Sequence, residues 1–284
     1  MTNTTTDFKV HLVRGRFPVL PSAVNAYVVE TPTEVVVIDG TAAISSSQEL
    51  RQKAESLGKP LRAVLMTHGH PDHFTGLVSF QDLPRYASQG CIDFAHHEDE
   101  TKWQGGKQYL GDDFPDERTF PNQVVEDGQT LNFGGIDFTF SDLGPGESDH
   151  DGMWLCEVDG VQHAFIGDVI CNHTHAFFGD GHAIHWIQII ERLQKQLRED
   201  ARIYVGHGTS PATHGDLEEQ KKYLQHFIDT IKDLPRESPV SEATVGMVMG
   251  SMKALQPTEE LFFLLGYELP QGIERVWKTL GDPT

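Results

Sequence analysis

Apolar runs of strand length, broken by turn residues, dominate the first quarter of the chain. Residues 8–13, 26–30 and 34–38 read as strands; Pro18 and Pro21 interrupt between the first two, and Asp39-Gly40 ends the third. Helix formers fill 45–57, with Gly58 as a stop signal. The apolar strand 61–66 then runs directly into the polar segment 67–73. Strand, helix, strand and polar loop in that order fit an α/β arrangement. Farther on, 129–133 and 136–140 pair as a hairpin about Gly134-Gly135, and 153–158 and 162–166 pair about Asp159-Gly160. Apolar residues recur at helical spacing over 184–198, followed by a strand at 201–205 and helices over 217–234 and 259–280. Residues 84–122 have a different texture, with paired glycines at 105 and 106 and many acids; a loop-rich insertion with a short helix over 96–103 is expected there. No repeat, low-complexity tract or linker interrupts the chain, so one domain over 1–284 is the expectation.

Charge narrows the partners. The 284 residues include 42 acidic against 22 basic side chains, a formal charge of -20, which repels a polynucleotide and leaves a small molecule as the expected partner. A homo-oligomer is left open. Three scattered cysteines, Cys91, Cys156 and Cys171, suggest neither a disulfide framework nor a thiolate metal knuckle. The Thr- and Asn-rich start lacks the basic patch and apolar run of a signal peptide, and no stretch has the length of a membrane span. A cytoplasmic protein with no membrane partner is expected.

The chemistry concentrates in Thr67-His68-Gly69-His70-Pro71-Asp72-His73, at the end of an apolar strand. Imidazoles and a carboxylate together suit zinc, iron or manganese. Gly69 and Pro71 disfavour helix, so the side chains are expected to fan out from a turn.

This segment resembles the metallo-β-lactamase signature H-x-H-x-D-H, and the likeness continues in order along the chain. Asp39-Gly40 looks like the family's early Asp-Gly turn, Phe165-Ile166-Gly167-Asp168 like its strand-end Gly-Asp, and Tyr204-Val205-Gly206-His207-Gly208 like its late Gly-His. The resemblance implies a four-layer αββα sandwich with two divalent metal ions, zinc first and manganese or iron as alternatives. It assigns His68 and His70 to one metal, Asp72, His73 and His207 to the other, and Asp168 to both. A further histidine is usual for the first metal, but here the segment reads Gly144-Pro145-Gly146-Glu147-Ser148-Asp149-His150. Glu147 stands where that histidine is expected and is the favoured ligand, with His150 as the alternative. The implied enzyme is a dinuclear metallo-hydrolase. A metal-bridging hydroxide attacks an ester-like, lactone, thioester or amide carbonyl, and Asp72 orients it or accepts its proton. The alternatives are a mononuclear iron sulfur dioxygenase on the same fold and a catalytically inert metal-binding module. Among the remaining residues, His175 is a candidate for the shell around the ligands, and Trp103, Phe177, Phe178 and Trp186 are candidates for an apolar pocket wall.

Overall fold

Continuous burial separates the central strands from the peripheral ones. The computed structural model describes residues 6–16 and 23–281, so Pro18 and Pro21 lie outside the described residues. Strands β1 (Lys9–Arg16), β2 (Ala23–Glu30), β3 (Val35–Ile38), β4 (Leu61–Leu65), β5 (Arg85–Ala87) and β6 (Gln123–Val124) come from the first half of the chain. Every residue of β2 and β3 is buried, as suits strands covered on both faces. The second group is β7 (Thr130–Phe133), β8 (Ile136–Gly144), β9 (Asp151–Val158), β10 (Val161–Asn172) and β11 (Arg202–Gly208). In β8, Ile136, Phe138 and Phe140 face inward while Asp137 points to solvent, which is the period of two expected of a half-covered strand.

The strand order is β6-β5-β4-β3-β2-β11-β10-β9-β8-β7, with β1 on β2. The two groups join through a single residue pair, His207 with Val24. Their inner faces then pack together: Tyr27, Val36, Ile38 and Leu65 of the first share a core with Phe138, Trp154, Phe165 and Tyr204 of the second. Trp154 Nε1 donates to Met66 O at 2.9 Å across that interface. Outside the first sheet, α1 (Ile44–Ser56) and α3 (Gln89–Leu110) cover Val28, Val37 and Val64 through Leu50, Ala54, Cys91 and Ala95. Outside the second lie α4 (Ala183–Gln196), α5 (His214–Lys232), α6 (Glu242–Leu255) and α8 (Leu269–Leu280). Helix α4 buries Trp186, Ile189, Ile190 and Leu193, spaced as one helical face. The result is a four-layer αββα sandwich.

Four segments differ from the sequence expectation. The expected loop-rich insertion holds the 22-residue helix α3, capped by the Ser88 hydroxyl accepting from Cys91 N. Glycines 105 and 106 disfavour helix, but the missing side chain at Gly106 admits the Phe114 ring, which a Cβ would meet at 2.5 Å. Helix α6 is an addition to the expected elements, although Thr244, Val248 and Met252 bury one face at four-residue spacing behind a Ser241 cap. The expected helix over 259–280 is two, α7 (Phe262–Gly266) and α8, separated where Glu268 takes a positive φ. Finally, Pro71 starts the single helical turn α2 (Pro71–Phe74) instead of preventing it, because at the first helical position it loses no hydrogen bond.

Candidate metal centre

The site begins with Asp39, a non-glycine residue held at φ 60° at the end of β3. Its carboxylate accepts from Thr67 N and Thr67 Oγ1, both at 2.8 Å, and pairs with His73 Nδ1 at 3.1 Å. One buried side chain thus fixes the start of the histidine segment and the orientation of its last ring. Left-handed strain of this kind persists only when several partners enforce it. Fixing Nδ1 leaves His73 Nε2 pointing inward, 3.4 Å from Asp168 Oδ1. His207 repeats the device: Nδ1 is bonded to Ala23 O at 2.8 Å, and Nε2 lies 3.1 Å from Asp72 Oδ2 and 3.2 Å from Asp168 Oδ2. His70 is turned the other way. Its Nε2 is 3.0 Å from Asp180 Oδ2, so Nδ1 faces Glu147 Oε2 at 2.9 Å. His68 Nε2 sits 3.7 Å from Glu147 Oε2 and 3.8 Å from Asp168 Oδ2.

Asp168 is central because Gly206 lets it be. A Cβ at Gly206 would stand 1.9 Å from Asp168 Oδ1, inside any tolerable contact. Three sets of donor atoms each converge within 4.8 Å: His68, His70 and Glu147; His68, His73 and Asp168; and Asp72, His73 and His207. His68 Nε2, His73 Nε2 and Asp168 Oδ1 are buried without a hydrogen bond, and Glu147 Oε2 has only the His70 ring of the same cluster beside it. Such atoms are costly to bury unless something satisfies them. Imidazole nitrogens and carboxylate oxygens aimed at common points fit divalent cations.

The metallo-beta-lactamase superfamily model matches residues 19–207. The chain belongs to that superfamily. Solved structures agree on the fold. A beta-lactamase domain protein from Burkholderia ambifaria superposes with a TM-score of 0.67 at 15% identity, over 95% of this chain and 86% of that one. A metallo-beta-lactamase family protein from Thermus thermophilus gives 0.65 at 21%, over 92% and 91%. ETHE1 from Myxococcus xanthus gives 0.57 at 16%, over 85% and 99%. The uncharacterized protein YobT of Bacillus subtilis (strain 168) is 32% identical over 127 residues, 40% of this chain; the chain spans about half of YobT's length, 51%.

Within this metallo-beta-lactamase fold, the segment carrying Glu147 is tightly bound. Asp151 Oδ2 accepts from Glu147 N at 2.7 Å and Ser148 N at 3.2 Å, and Asp151 Oδ1 accepts from Ser148 Oγ at 2.8 Å. His182 pairs with Asp149 at 2.6 Å, and His185 bonds Pro145 O. The loop so held puts the Glu147 carboxylate with His68 and His70, whereas His150 lies against Gly90 on α3. His150 is in none of the three donor sets.

Electrostatics reflect the crowding. Burial works against charge at every one of these groups. It is overcome at His73, raised well above its ordinary value by Asp168 and Asp72, and at His207, pushed up to about 10 by Asp168 and Asp72. Burial likewise opposes the charge on Asp168, but His207 and His73 hold its carboxyl well below the usual range. Burial lowers His68, with His73 adding to it. Burial pushes Glu147 up to about 8 despite His70. Cations in this cluster would take the place of protons.

An open pocket of about 190 Å³ leads to this floor. Helix α3 forms one side and the α7 region another. Of the expected wall aromatics, Phe177 lines it; Trp103 packs against Phe114, Phe178 stacks on Phe227, and Trp186 donates to Val169 O inside the core. His175 is buried against Tyr223 OH at 2.9 Å and belongs to none of the donor sets. Sequence reasoning missed Asp180, 110 residues from the ring it orients, and Asp151; neither carries a local motif. No helix among the described residues is long and apolar enough to cross a membrane.

Proposed function

We propose that this chain is a dinuclear metal-dependent hydrolase acting on a neutral carbonyl compound: an ester, lactone, thioester or amide. The observation that carries the reading is the cluster of buried His68 Nε2, His73 Nε2, Glu147 Oε2 and Asp168 Oδ1, of which Glu147 and Asp168 line an open pocket together with His70, Asp72 and His207. His68, His70 and Glu147 would hold one cation, Asp72, His73 and His207 the other, and Asp168 both. Bound there, the cations would acidify a shared water and polarise the substrate's carbonyl oxygen. The chain's own residues do the rest. Asp39, Asp180 and the Ala23 carbonyl fix the tautomers and directions of the rings, as ligand-orienting partners do. Asp72 borders the pocket and is the least buried of the candidate carboxylates, so it is placed to orient the water and take its proton. Apolar walls along the pocket lower the local dielectric and strengthen the electrostatics at its floor.

Zinc is the first candidate metal; the oxygen ligand of Glu147 widens the choice toward manganese and iron. Metal analysis followed by a panel of lactones, thioesters, aryl esters and β-lactams tests the reading. Hydrolysis that is lost on chelation and restored by metal supports it; no turnover across the panel by the metal-loaded protein counts against it. The first donor set favours a second reading. With Glu147 it is two histidines and a carboxylate, an arrangement suited to non-haem iron and oxygen chemistry. Oxygen uptake by an iron-loaded protein holding one metal would select that mononuclear dioxygenase.

A further inference from the structure

The glycine pair that concealed α3 in the sequence lies beside the pocket. Lys102, Gly105, Gly106, Tyr109 and Leu110 all border it, at the spacing of one helical face. Adjacent glycines inside a helix cost it about 2 kcal/mol relative to alanines, so their presence calls for a compensating use. Gly106 has one: it makes room for Phe114, itself a wall of the pocket. Gly105 stands beside open space. A Cβ there would meet no atom within 4 Å, so the space on the pocket face of α3 is open.

The walls facing that opening are apolar: Phe114, Phe177, Leu261 and Leu264. At its rim stand Tyr109 and Phe263, 49% and 44% exposed, with ring centroids 6.2 Å apart. The lysine of the pocket, Lys102, is already satisfied. It pairs with Glu98 and with Glu268 at 3.4 Å, and its ammonium lies 5.0 Å from the Phe177 ring centroid. An anionic group entering here would have to displace two carboxylates. A volume of 190 Å³ compares with the roughly 150 Å³ of an engineered apolar cavity that takes benzene.

Building on the carbonyl-hydrolase reading, we propose that the substrate carries an uncharged apolar group the size of an aryl ring or a medium alkyl chain. This group lies between α3 and α7, and Gly105 sets its size limit. Hydrolysis adds water across the bond between the carbonyl carbon and its leaving group, giving an apolar carboxylic acid and an alcohol, thiol or amine, or a single hydroxy acid where the substrate is a lactone.

The test uses metal-loaded protein with 4-nitrophenyl acetate, butyrate and hexanoate, and the mono-4-nitrophenyl ester of adipic acid. Wild-type kcat/KM should rise about fourfold per added methylene, the value of burying one. The hexanoate-to-acetate ratio should fall at least tenfold in Gly105→Leu and by an intermediate factor in Gly105→Ala. Leucine is the better helix former, so a Tm no lower than that of wild type verifies that the fold is intact. The adipate monoester should be turned over at least tenfold less well than hexanoate. Calorimetric binding of 2-octanone and 2-butanone, which cannot be hydrolysed, reads the pocket independently. Wild type should prefer 2-octanone, and Gly105→Leu should lose the preference. If that pattern holds while no ester is cleaved, the pocket assignment stands and the hydrolase reading falls. Equal binding of the two ketones by wild type, a preference untouched by Gly105→Leu, or an adipate ester as good as hexanoate overturns the proposal.

Discussion

At the scale of single residues, the site is organised by carboxylates that do not themselves face the pocket. Asp180 holds His70 Nε2 at 3.0 Å, leaving Nδ1 for the interior. Asp180→Ala should therefore weaken metal binding by about 10–100-fold while leaving the fold in place, which competition with a chelator measures. Glu147 distinguishes this chain from the usual histidine pattern. A third carboxylate beside Asp72 and Asp168 reduces the net positive charge of a dinuclear centre, weakening its ability to acidify water. Glu147→His should keep metal binding and raise zinc preference at the first site. Glu147→Ala should empty that site, and His150→Ala should leave metal stoichiometry unchanged, since His150 packs against Gly90 instead. Metal content that falls in His150→Ala and not in Glu147→Ala would mean the loop takes another register.

At the scale of elements, close approach decides what can be changed. Because a Cβ at Gly206 would invade Asp168, Gly206→Ala should cost roughly 1–3 kcal/mol by overpacking and disturb metal binding with it; denaturant melts and metal analysis check both. Strand β10 carries a separate pH dependence. Burial, with Arg202 adding, lowers His163 to about 4, well below the free value near 6.5. As pH falls through that window the unfolded chain takes the proton first, so this contribution is complete above about 6.5 and lost progressively toward 4. Replacing the ring by glutamine, His163→Gln, should flatten that part of a stability-against-pH curve. The metal segment was legible in the sequence because His68, His70, Asp72 and His73 fall within six residues, and the later Gly-Asp and Gly-His because they follow in order with it. What joins distant residues was not legible. Asp180 reaches His70 only through the packing of the sandwich, and the sheet order depends on one residue pair between β2 and β11. Local propensity also misled where tertiary contacts offset it: Gly106 is tolerated in α3 because Phe114 fills its place.

At the scale of the whole molecule, the sandwich brings the ends of β3, β4 and β11 and the later part of β10 to one edge, where buried acids and imidazoles face each other without enough partners. That edge should be stabilised by what it binds. At a free cation concentration of 100 Kd a single site contributes about 2.7 kcal/mol, so stripping the metal should lower the Tm by roughly 5–10 °C. The surface charge of -20 acts over a longer range, slowing anions more than neutral molecules; turnover of a neutral ester should exceed that of a matched polyanionic one, with the gap closing in salt. Central to the proposed function is the assignment of Asp168 to both of two cations. Metal content per chain, measured on gently purified wild type and on Asp168→Asn, tests it most directly. Close to two equivalents are expected in wild type, with a loss from both sites in the variant. One full-affinity equivalent in wild type, unaffected by Asp168→Asn, would contradict it.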